Sequence, residues 1–191
     1  MYRFLRPIAK CFIKIFYRIN VNGSFDNIDD TYIICANHGS ALDPIFLAVT
    51  FDKPINFMGK KELFKRPLLD KFFSSLNVFP VDRHGNDIKA LKEGVRRLKD
   101  GKILGIFIEG TRVGGYDPAN AKPGPILIAN LANKKILPVR IDTSYKIFSK
   151  VDITIREPFT VDKTFLKENK DTGYQELAKE VLYKIYKGDE N

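Results

Sequence analysis

The amino-acid sequence predicts an α/β fold with a central, largely parallel sheet flanked by helices. From Thr31 onward, short apolar runs of strand length alternate with longer amphipathic segments of helical periodicity. This alternation is typical of parallel sheets, because a chain needs a crossover connection before it can add the next parallel strand. The chain has 191 residues, which suits one core, and its hydrophobic content of 44% is that of a folded protein.

The N-terminal segment Tyr2–Asn20 predicts an amphipathic helix. Its cations recur every three or four residues and would form one basic stripe: Arg3, Arg6, Lys10, Lys14 and Arg18. Large apolar residues fill much of the remaining circumference: Phe4, Leu5, Ile8, Phe12, Ile13, Ile15, Phe16 and Ile19. Charges interrupt the segment too often for a signal peptide or a membrane span. Such a helix suits a bilayer surface, and the alternative is a helix packed on its own domain with its cations in water.

The chain is therefore divided into two parts. Residues 1–22 are expected to be an amphipathic membrane-associating segment, and residues 23–191 a single catalytic or binding domain. The net charge of +9 fits anionic partners such as nucleic acid, anionic lipid or phosphorylated metabolites, although it also serves solubility alone. Two cysteines, Cys11 and Cys35, are too few for a disulfide framework, so we expect a reducing compartment.

Within 23–191, apolar runs predict six strands. These are Tyr32–Ala36, Ile55–Met58, Val78–Val81, Ile103–Ile108, Ile136–Ile141 and Val151–Arg156. Helices are predicted at Asp43–Thr50, at Lys61–Ser75 with an interruption at Pro67, after an N-cap at Asn86, at Ile126–Ala132 and at Tyr174–Tyr186. The helix after Asn86 is expected to end at Gly101 and to bury Ile88, Leu91, Val95 and Leu98 on one face.

Three polar loops follow predicted strands, at 37–43, 82–86 and 109–124. In sheets of this kind, ligand sites gather beyond the carboxyl ends of the strands. The loops are rich in His, Asp, Glu, Arg and Gly, so we expect the functional site there.

The first of these loops contains a candidate catalytic pair, His38 and Asp43. An imidazole titrates near neutral pH and can activate a hydroxyl group as a general base. A carboxylate five residues later, across a strand-to-helix turn, can fold back to fix the tautomer and stabilise the imidazolium. The alternative is that both residues are only local turn and capping groups. Ser40 does not lie in a nucleophile-elbow sequence, and Cys35 is expected in the core.

The other two loops contain arginines directly after strands. Arg83 ends the sequence Phe-Pro-Val-Asp-Arg, and Arg112 ends Phe-Ile-Glu-Gly-Thr-Arg. A guanidinium group matches the bidentate geometry of phosphate. Gly110 would let a ligand approach the backbone closely.

Taken together, these blocks resemble the glycerolipid acyltransferase family, most closely its bacterial 1-acylglycerol-3-phosphate acyltransferases. Asn37, His38 and Asp43 match the family pattern Asn-His-x-x-x-x-Asp, and the two arginine blocks match its second and third motifs. Pro138 and Val139 match a fourth, Pro-Val motif. The resemblance spans about 31–141, and Ile108 and Val113 depart from the usual third motif.

The resemblance implies a role for each matching residue. His38 would be the general base and Asp43 its orienting carboxylate. Arg83 would bind the acceptor phosphate, while Pro138 would border the path of the acyl donor. Among the remaining substrate-binding residues, Glu109 and Gly110 would help to hold the glycerol phosphate, and Thr111 and Arg112 would shape the same loop.

The resemblance also implies the reaction. An acyl group would pass from a thioester of acyl carrier protein or coenzyme A to the free hydroxyl of 1-acylglycerol-3-phosphate, giving phosphatidate for phospholipid biosynthesis. No metal, prosthetic group or nucleic acid would be needed. The expected location is the cytoplasmic face of the cell membrane, as a peripheral or monotopic protein. Alternatives are an acyltransferase for glycerol 3-phosphate or another lysophospholipid, a hydrolase that uses the same pair to activate water, and a non-catalytic basic protein that binds membranes or nucleic acid.

Overall fold

The computed structural model describes residues 2–24, 31–82 and 87–188 and contains a seven-stranded sheet in the order β1-β7-β6-β2-β5-β3-β4. The strands β1–β7 are Arg18–Asn22, Ile33–Ala36, Ile55–Lys60, Phe79–Val81, Ile103–Phe107, Ile136–Thr143 and Lys150–Ile155. Strands β2 to β6 are mutually parallel, whereas β7 runs antiparallel to β6 and pairs in parallel with β1. The predicted α/β fold with a largely parallel sheet is confirmed.

Helices cover both faces of the sheet. The helices α1–α7 are Tyr2–Phe16, Asp43–Thr50, Pro67–Ser75, Ile88–Lys99, Gly124–Ala132, Lys163–Glu168 and Gly173–Lys187, with short 3-10 helices at Lys61–Phe64 and Pro118–Asn120. Strand β2 shows how both faces become buried: Ile33 and Cys35 pack with α4, α5 and α7, whereas Ile34 and Ala36 pack with α1 and α2. Because successive strand residues point to opposite faces, a central strand covered on both sides must be apolar throughout.

The N-terminal helix is shorter than the sequence predicts. It ends at Phe16, and Arg18–Asn22 forms β1, whose residues pair with β7 from Arg18↔Lys150 to Asn22↔Thr154. The physical reason is visible in the sequence Arg-Ile-Asn-Val-Asn, which alternates polar and apolar residues with the period of a strand. Arg18 therefore does not extend the basic stripe of the helix.

Helix α4 differs from its prediction in one respect, whereas the segment before β4 agrees with it. Ile88 was expected in the core but is 62% exposed, because α4 begins at this residue and its N-cap is Asp87, whose carboxylate accepts a hydrogen bond from the amide of Ala90. The predicted cap, Asn86, lies outside the described residues. The predicted helix 61–75 is divided as expected at Pro67, because the preceding Arg66 is extended, as residues before proline tend to be.

Among the described residues, no helix is long and apolar enough to cross a membrane. Helix α1 instead lies along the body of the protein and contributes Ile13 and the adjoining Tyr17 to the core on the α2 side. Arg6 fixes its N-terminal half, since the guanidinium donates to the carbonyls of Ala48 and Phe51 at 3.0 and 2.8 Å.

We expect Ile13→Ala to lower the free energy of unfolding by about 2–5 kcal/mol, because it removes a fully buried side chain. Ile8→Ala is the matched control, as it makes the same change on the same helix at a side chain that is 53% exposed. It should change the free energy of unfolding by less than about 0.5 kcal/mol. Denaturant titration of both variants measures the difference, and equal effects would contradict the position of α1 in the fold.

Candidate active site

The predicted site residues of the first and third loops meet at the carboxyl edge of the central strands. Strand β2 ends at Ala36 between β5 and β6. The side chain of Asn37 extends the pairing with β6 by one residue, because its amide group donates to the carbonyl oxygen of Ile141 at 2.9 Å and its oxygen accepts from the amide of Ile141 at 2.7 Å. This two-bond clamp fixes the point at which the chain leaves the sheet.

His38 and Asp43 are in direct contact. Nδ1 of His38 lies 2.9 Å from Oδ2 of Asp43, and the same oxygen accepts hydrogen bonds from the amides of Gly39 and Ser40, each at 2.8 Å. Asp43 is fully buried and is the first residue of α2, where the helix dipole favours a negative charge. A carboxylate that accepts on one oxygen from Nδ1–H leaves Nε2 as the basic nitrogen of the imidazole. The described residues form no hydrogen bond with Nε2.

Glu109 is hydrogen-bonded to the backbone of His38. Glu109 is 1% exposed. Its Oε2 accepts a hydrogen bond from the backbone amide of His38 at 2.7 Å, and its Oε1 accepts one from the hydroxyl of Tyr186 at 2.8 Å. Burial raises the pKa of this carboxyl group, and the two hydrogen bonds act in the opposite direction. Both oxygens are therefore engaged within the protein, so Glu109 orders the backbone that presents the imidazole.

The loop after β5 holds His38 from a second side. The ring of Phe107 stacks on the His38 ring with centroids 4.1 Å apart, and the amide of Val113 donates to the His38 carbonyl at 2.8 Å. Between them, Gly110 adopts a φ of +69°, a conformation that favours glycine. Thr111 and Arg112 follow on the exposed outer side of this turn. The loop thus joins the imidazole to two residues that are accessible to a ligand.

Two predicted binding residues remain, Arg83 and Pro138. Arg83 lies outside the described residues, directly beyond the end of β4 and its neighbour Asp82. Pro138 is buried within β6 and pairs with Cys35 in the register of the sheet. Its expected place beside the path of the acyl donor stays a prediction.

Sequence motifs did not reveal two tyrosines of the site. Tyr145 donates its hydroxyl to Oδ1 of Asp43 at 2.9 Å, and Tyr186 donates to Glu109. They come from the β6–β7 connection and from α7, and no spacing relative to His38 marks either one. Burial raises the pKa of both hydroxyls, which keeps them protonated as donors.

Neither of the other nucleophile candidates near the pair is activated. Cys35 is fully buried, and burial raises the pKa of its thiol well above its usual range. The Ser40 hydroxyl accepts from the amide of Leu42 at 3.3 Å, which is the local role expected at the start of a helix. The arrangement is therefore that of a general base with an orienting carboxylate, and the attacking group must come from a substrate or from water.

Comparisons with known proteins agree with this chemistry. A family model described as Acyltransferase matches residues 18–142. The chain is 30% identical over 141 residues to the 1-acyl-sn-glycerol-3-phosphate acyltransferase of Bacillus subtilis (strain 168), with 72% of this chain and 69% of that protein covered. It is 28% identical over 202 residues to the protein of the same name from Streptococcus pneumoniae (strain ATCC BAA-255 / R6), with 99% of this chain and 73% of that protein covered.

A solved structure shows the same fold. The crystal structure of the 1-acyl-sn-glycerophosphate (LPA) acyltransferase PlsC from Thermotoga maritima matches with a TM-score of 0.69 and 26% identity, over 96% of this chain and 80% of that chain. The matched family region contains His38, Asp43 and the loop 109–113, and its extent exceeds half of the chain. The resemblance found in the sequence is confirmed, and the chain belongs to the acyltransferase family.

Proposed function

We propose that this enzyme transfers an acyl group from an acyl thioester to the free hydroxyl of 1-acylglycerol-3-phosphate, giving phosphatidate. The observation that carries the proposal is the His38–Asp43 hydrogen bond of 2.9 Å at the carboxyl edge of an acyltransferase fold. Relatives that bear the name 1-acyl-sn-glycerol-3-phosphate acyltransferase support the choice of acceptor. The family generally needs no cofactor.

In the proposed mechanism, His38 acts as general base through Nε2. It accepts the proton of the acceptor hydroxyl while the oxygen attacks the thioester carbonyl carbon, forming a tetrahedral intermediate and an imidazolium. The intermediate collapses with cleavage of the carbon–sulfur bond, and the departing thiolate takes the proton from the imidazolium. The products are the new ester and a free thiol, and His38 is again neutral.

Asp43 stabilises the imidazolium during this cycle. Its carboxylate lies beside Nδ1–H, so the positive charge that forms on His38 has a fixed negative partner. The Gly39 and Ser40 amides hold the same oxygen at 2.8 Å, so the carboxylate does not have to reorganise as the charge develops.

We assign the acceptor phosphate to the arginine-bearing loops. Thr111 and Arg112 are exposed in the loop whose Val113 amide donates to the His38 carbonyl, and Arg83 follows β4, the edge strand that β3 separates from β5. The turn at Gly110 lets a ligand approach the backbone there. Glu109 contributes indirectly through its bond to the His38 amide, since an anionic side chain with both oxygens engaged is a poor direct partner for phosphate. The donor is an acyl thioester of acyl carrier protein or coenzyme A, and Pro138 borders its path in this proposal.

We place the enzyme at an anionic membrane surface, on the cytoplasmic face, as a peripheral or monotopic protein. Helix α1 supports this, because four apolar side chains spaced along one side are 53–72% exposed: Phe4, Ile8, Phe12 and Ile15. Phe148, 67% exposed, extends this strip, and its amide donates to the carbonyl of Phe16. An exposed apolar strip of this size is the feature of an interfacial helix.

The cations available to the lipid are fewer than the sequence implied. The Arg6 guanidinium is hydrogen-bonded to carbonyls at the C-terminal end of α2, and Arg18 lies in β1. Lys10 and Lys14 are exposed on α1 and form the described part of the basic stripe that can meet anionic headgroups. In this proposal the membrane-associating segment is α1, while Arg18–Asn22 belongs to the sheet.

Competing acceptors test the reaction. Purified enzyme with one acyl thioester and equal amounts of 1-acylglycerol-3-phosphate, glycerol 3-phosphate and a lysophospholipid without a terminal phosphate should give phosphatidate as the main product by mass spectrometry. Preferential acylation of another acceptor would replace the assigned substrate. Release of free fatty acid without any ester product would instead favour a hydrolase.

His38→Ala should remain folded and lose about 10²–10⁴-fold in kcat, the usual contribution of a positioned general base. Asp43→Asn should also be severely impaired, because the amide cannot stabilise the imidazolium and mis-sets the ring. Asp100→Asn, at the exposed end of α4, is the matched control and should keep normal turnover. Steady-state kinetics measures all three. Near-normal turnover by folded His38→Ala protein would rule out the mechanism.

Lys10→Gln combined with Lys14→Gln should weaken binding to vesicles that contain anionic lipid. Each cation near such a surface contributes about 1 kcal/mol, so the loss should approach 30-fold at low salt and shrink as salt rises. Activity on a short-chain, water-soluble acceptor should persist. The control changes two exposed lysines away from α1, Lys167 and Lys179, to Gln. Co-sedimentation across a salt series measures binding, and an equal loss in both double variants would refute a specific role for α1.

A further inference from the structure

The β6–β7 connection places an aromatic hydroxyl on the catalytic carboxylate. Strand β6 is parallel to β2, so its end at Thr143 lies at the same edge of the sheet as the loop of His38. From this connection Tyr145 reaches Asp43, and its hydroxyl donates to Oδ1 at 2.9 Å. The opposite oxygen, Oδ2, faces His38 Nδ1. Tyr145 and His38 therefore bind the two different oxygens of one carboxylate.

The donors are divided unequally between these oxygens. Oδ2 interacts with His38 and with the amides of Gly39 and Ser40, whereas Tyr145 is the donor that the described residues provide to Oδ1. The three donors at Oδ2 all come from the short loop that contains the base. Tyr145 is the one partner that ties the carboxylate to a separate part of the fold.

The backbone of Tyr145 is held in an uncommon conformation. Its φ is +59°, in the left-handed region that a bulky aromatic residue rarely occupies. Three contacts maintain it: its amide donates to Oγ1 of Thr143 at 3.3 Å, its carbonyl accepts from the hydroxyl of Tyr17 at 3.4 Å, and its ring stacks at 6.5 Å from that of Phe46. Residues in such conformations persist where the surroundings over-determine them, and they cluster at functional sites.

The space that the phenol occupies exists because residue 39 is glycine. A Cβ at Gly39 would lie 2.5 Å from the Tyr145 hydroxyl oxygen and 3.1 Å from two ring atoms. Any larger residue at position 39 would displace the phenol from Asp43. The sequence of the loop and the position of Tyr145 are thus mutually adapted.

We propose that Tyr145 is a positioning residue that fixes the orientation of the Asp43 carboxylate and thereby aligns His38 for proton transfer. The inference rests on the proposed acyl transfer and names a residue that acts on the same site through Asp43. With both oxygens bound from different directions, the carboxylate cannot rotate about its Cβ–Cγ bond. Without the phenol, Oδ1 loses this donor and the carboxylate is held only by its partners in the His38 loop, so its angle to Nδ1 is less closely fixed.

Removal of the hydroxyl also changes the charge that His38 experiences. A donor to Oδ1 withdraws part of the negative charge of Asp43, so its loss leaves more negative charge on the carboxylate opposite the imidazolium. Within the described part of the chain, the other ionisable groups that act electrostatically on this cluster include Glu109, Tyr186, Arg140 and Asp142. All four remain in place when only the Tyr145 oxygen is removed.

The test is Tyr145→Phe, which keeps the ring and deletes the hydroxyl. Tyr174→Phe is the matched control, because it removes a half-buried tyrosine hydroxyl that accepts from Asn130 at 2.8 Å, between α5 and α7. We expect Tyr145→Phe to lower kcat roughly tenfold, as for the loss of one hydrogen bond to a charged group. The KM for acceptor should change less than twofold, and the acidic limb of the kcat–pH profile should move to higher pH. Tyr174→Phe should match the parent enzyme in kcat, in the KM for acceptor and in the position of the acidic limb.

A cycle with Asp43→Asn separates positioning from general loosening of the fold. If Tyr145 acts through Asp43, adding Tyr145→Phe to Asp43→Asn should lower kcat by less than twofold. A full tenfold loss in that background, or an unshifted acidic limb with kcat equal to that of Tyr174→Phe, would overturn the proposal. All of these values are compared with those of the parent enzyme. If the parent enzyme itself forms no phosphatidate, the proposed function is disproved, which is a separate outcome from failure of the Tyr145 proposal.

Discussion

A buried carboxylate is the constraint on which this active site depends. Moving an ionised carboxyl group out of water costs several kcal/mol, even after the protein relaxes, unless hydrogen bonds replace the lost hydration. Asp43 is fully buried and keeps such bonds from amides, from the imidazole and from a phenol. The start of α2, the glycine at position 39 and the connection that contains Tyr145 all contribute to the hydrogen bonding of this buried carboxylate.

A second layer holds the base itself. The backbone of His38 donates to Glu109 and accepts from Val113, while Asn37 clamps the preceding residue to β6. Phe107 covers one face of the ring. The imidazole is therefore fixed by its own backbone as well as by its carboxylate partner, which is the preorganisation that a general base requires.

The sequence was sufficient for what depends on local spacing. Apolar runs located the central strands, and the His38–Asp43 spacing predicted a contact across a strand-to-helix turn. Contacts from distant parts of the chain were not predictable in this way, since Tyr145 is 102 residues from Asp43 and Tyr186 is 77 residues from Glu109. Strand β1 is a different case: its own residues alternate with the period of a strand, but the strong helical pattern of the preceding residues masks this short signal, and its partner β7 lies far along the chain.

The junction of α1 and β1 has a consequence for how the enzyme meets its membrane. Only Tyr17 separates α1, the helix that we propose faces lipid, from a strand paired along its length with β7, and Ile13 of that helix lies in the core. Trimming the first 22 residues to obtain a water-soluble enzyme would therefore bare the hydrogen-bonding edge of β7 and invite chain-to-chain pairing. If α1 binds the membrane as we propose, attachment and folding share the same segment, so solubility has to be engineered by substitution on the outer side of the helix.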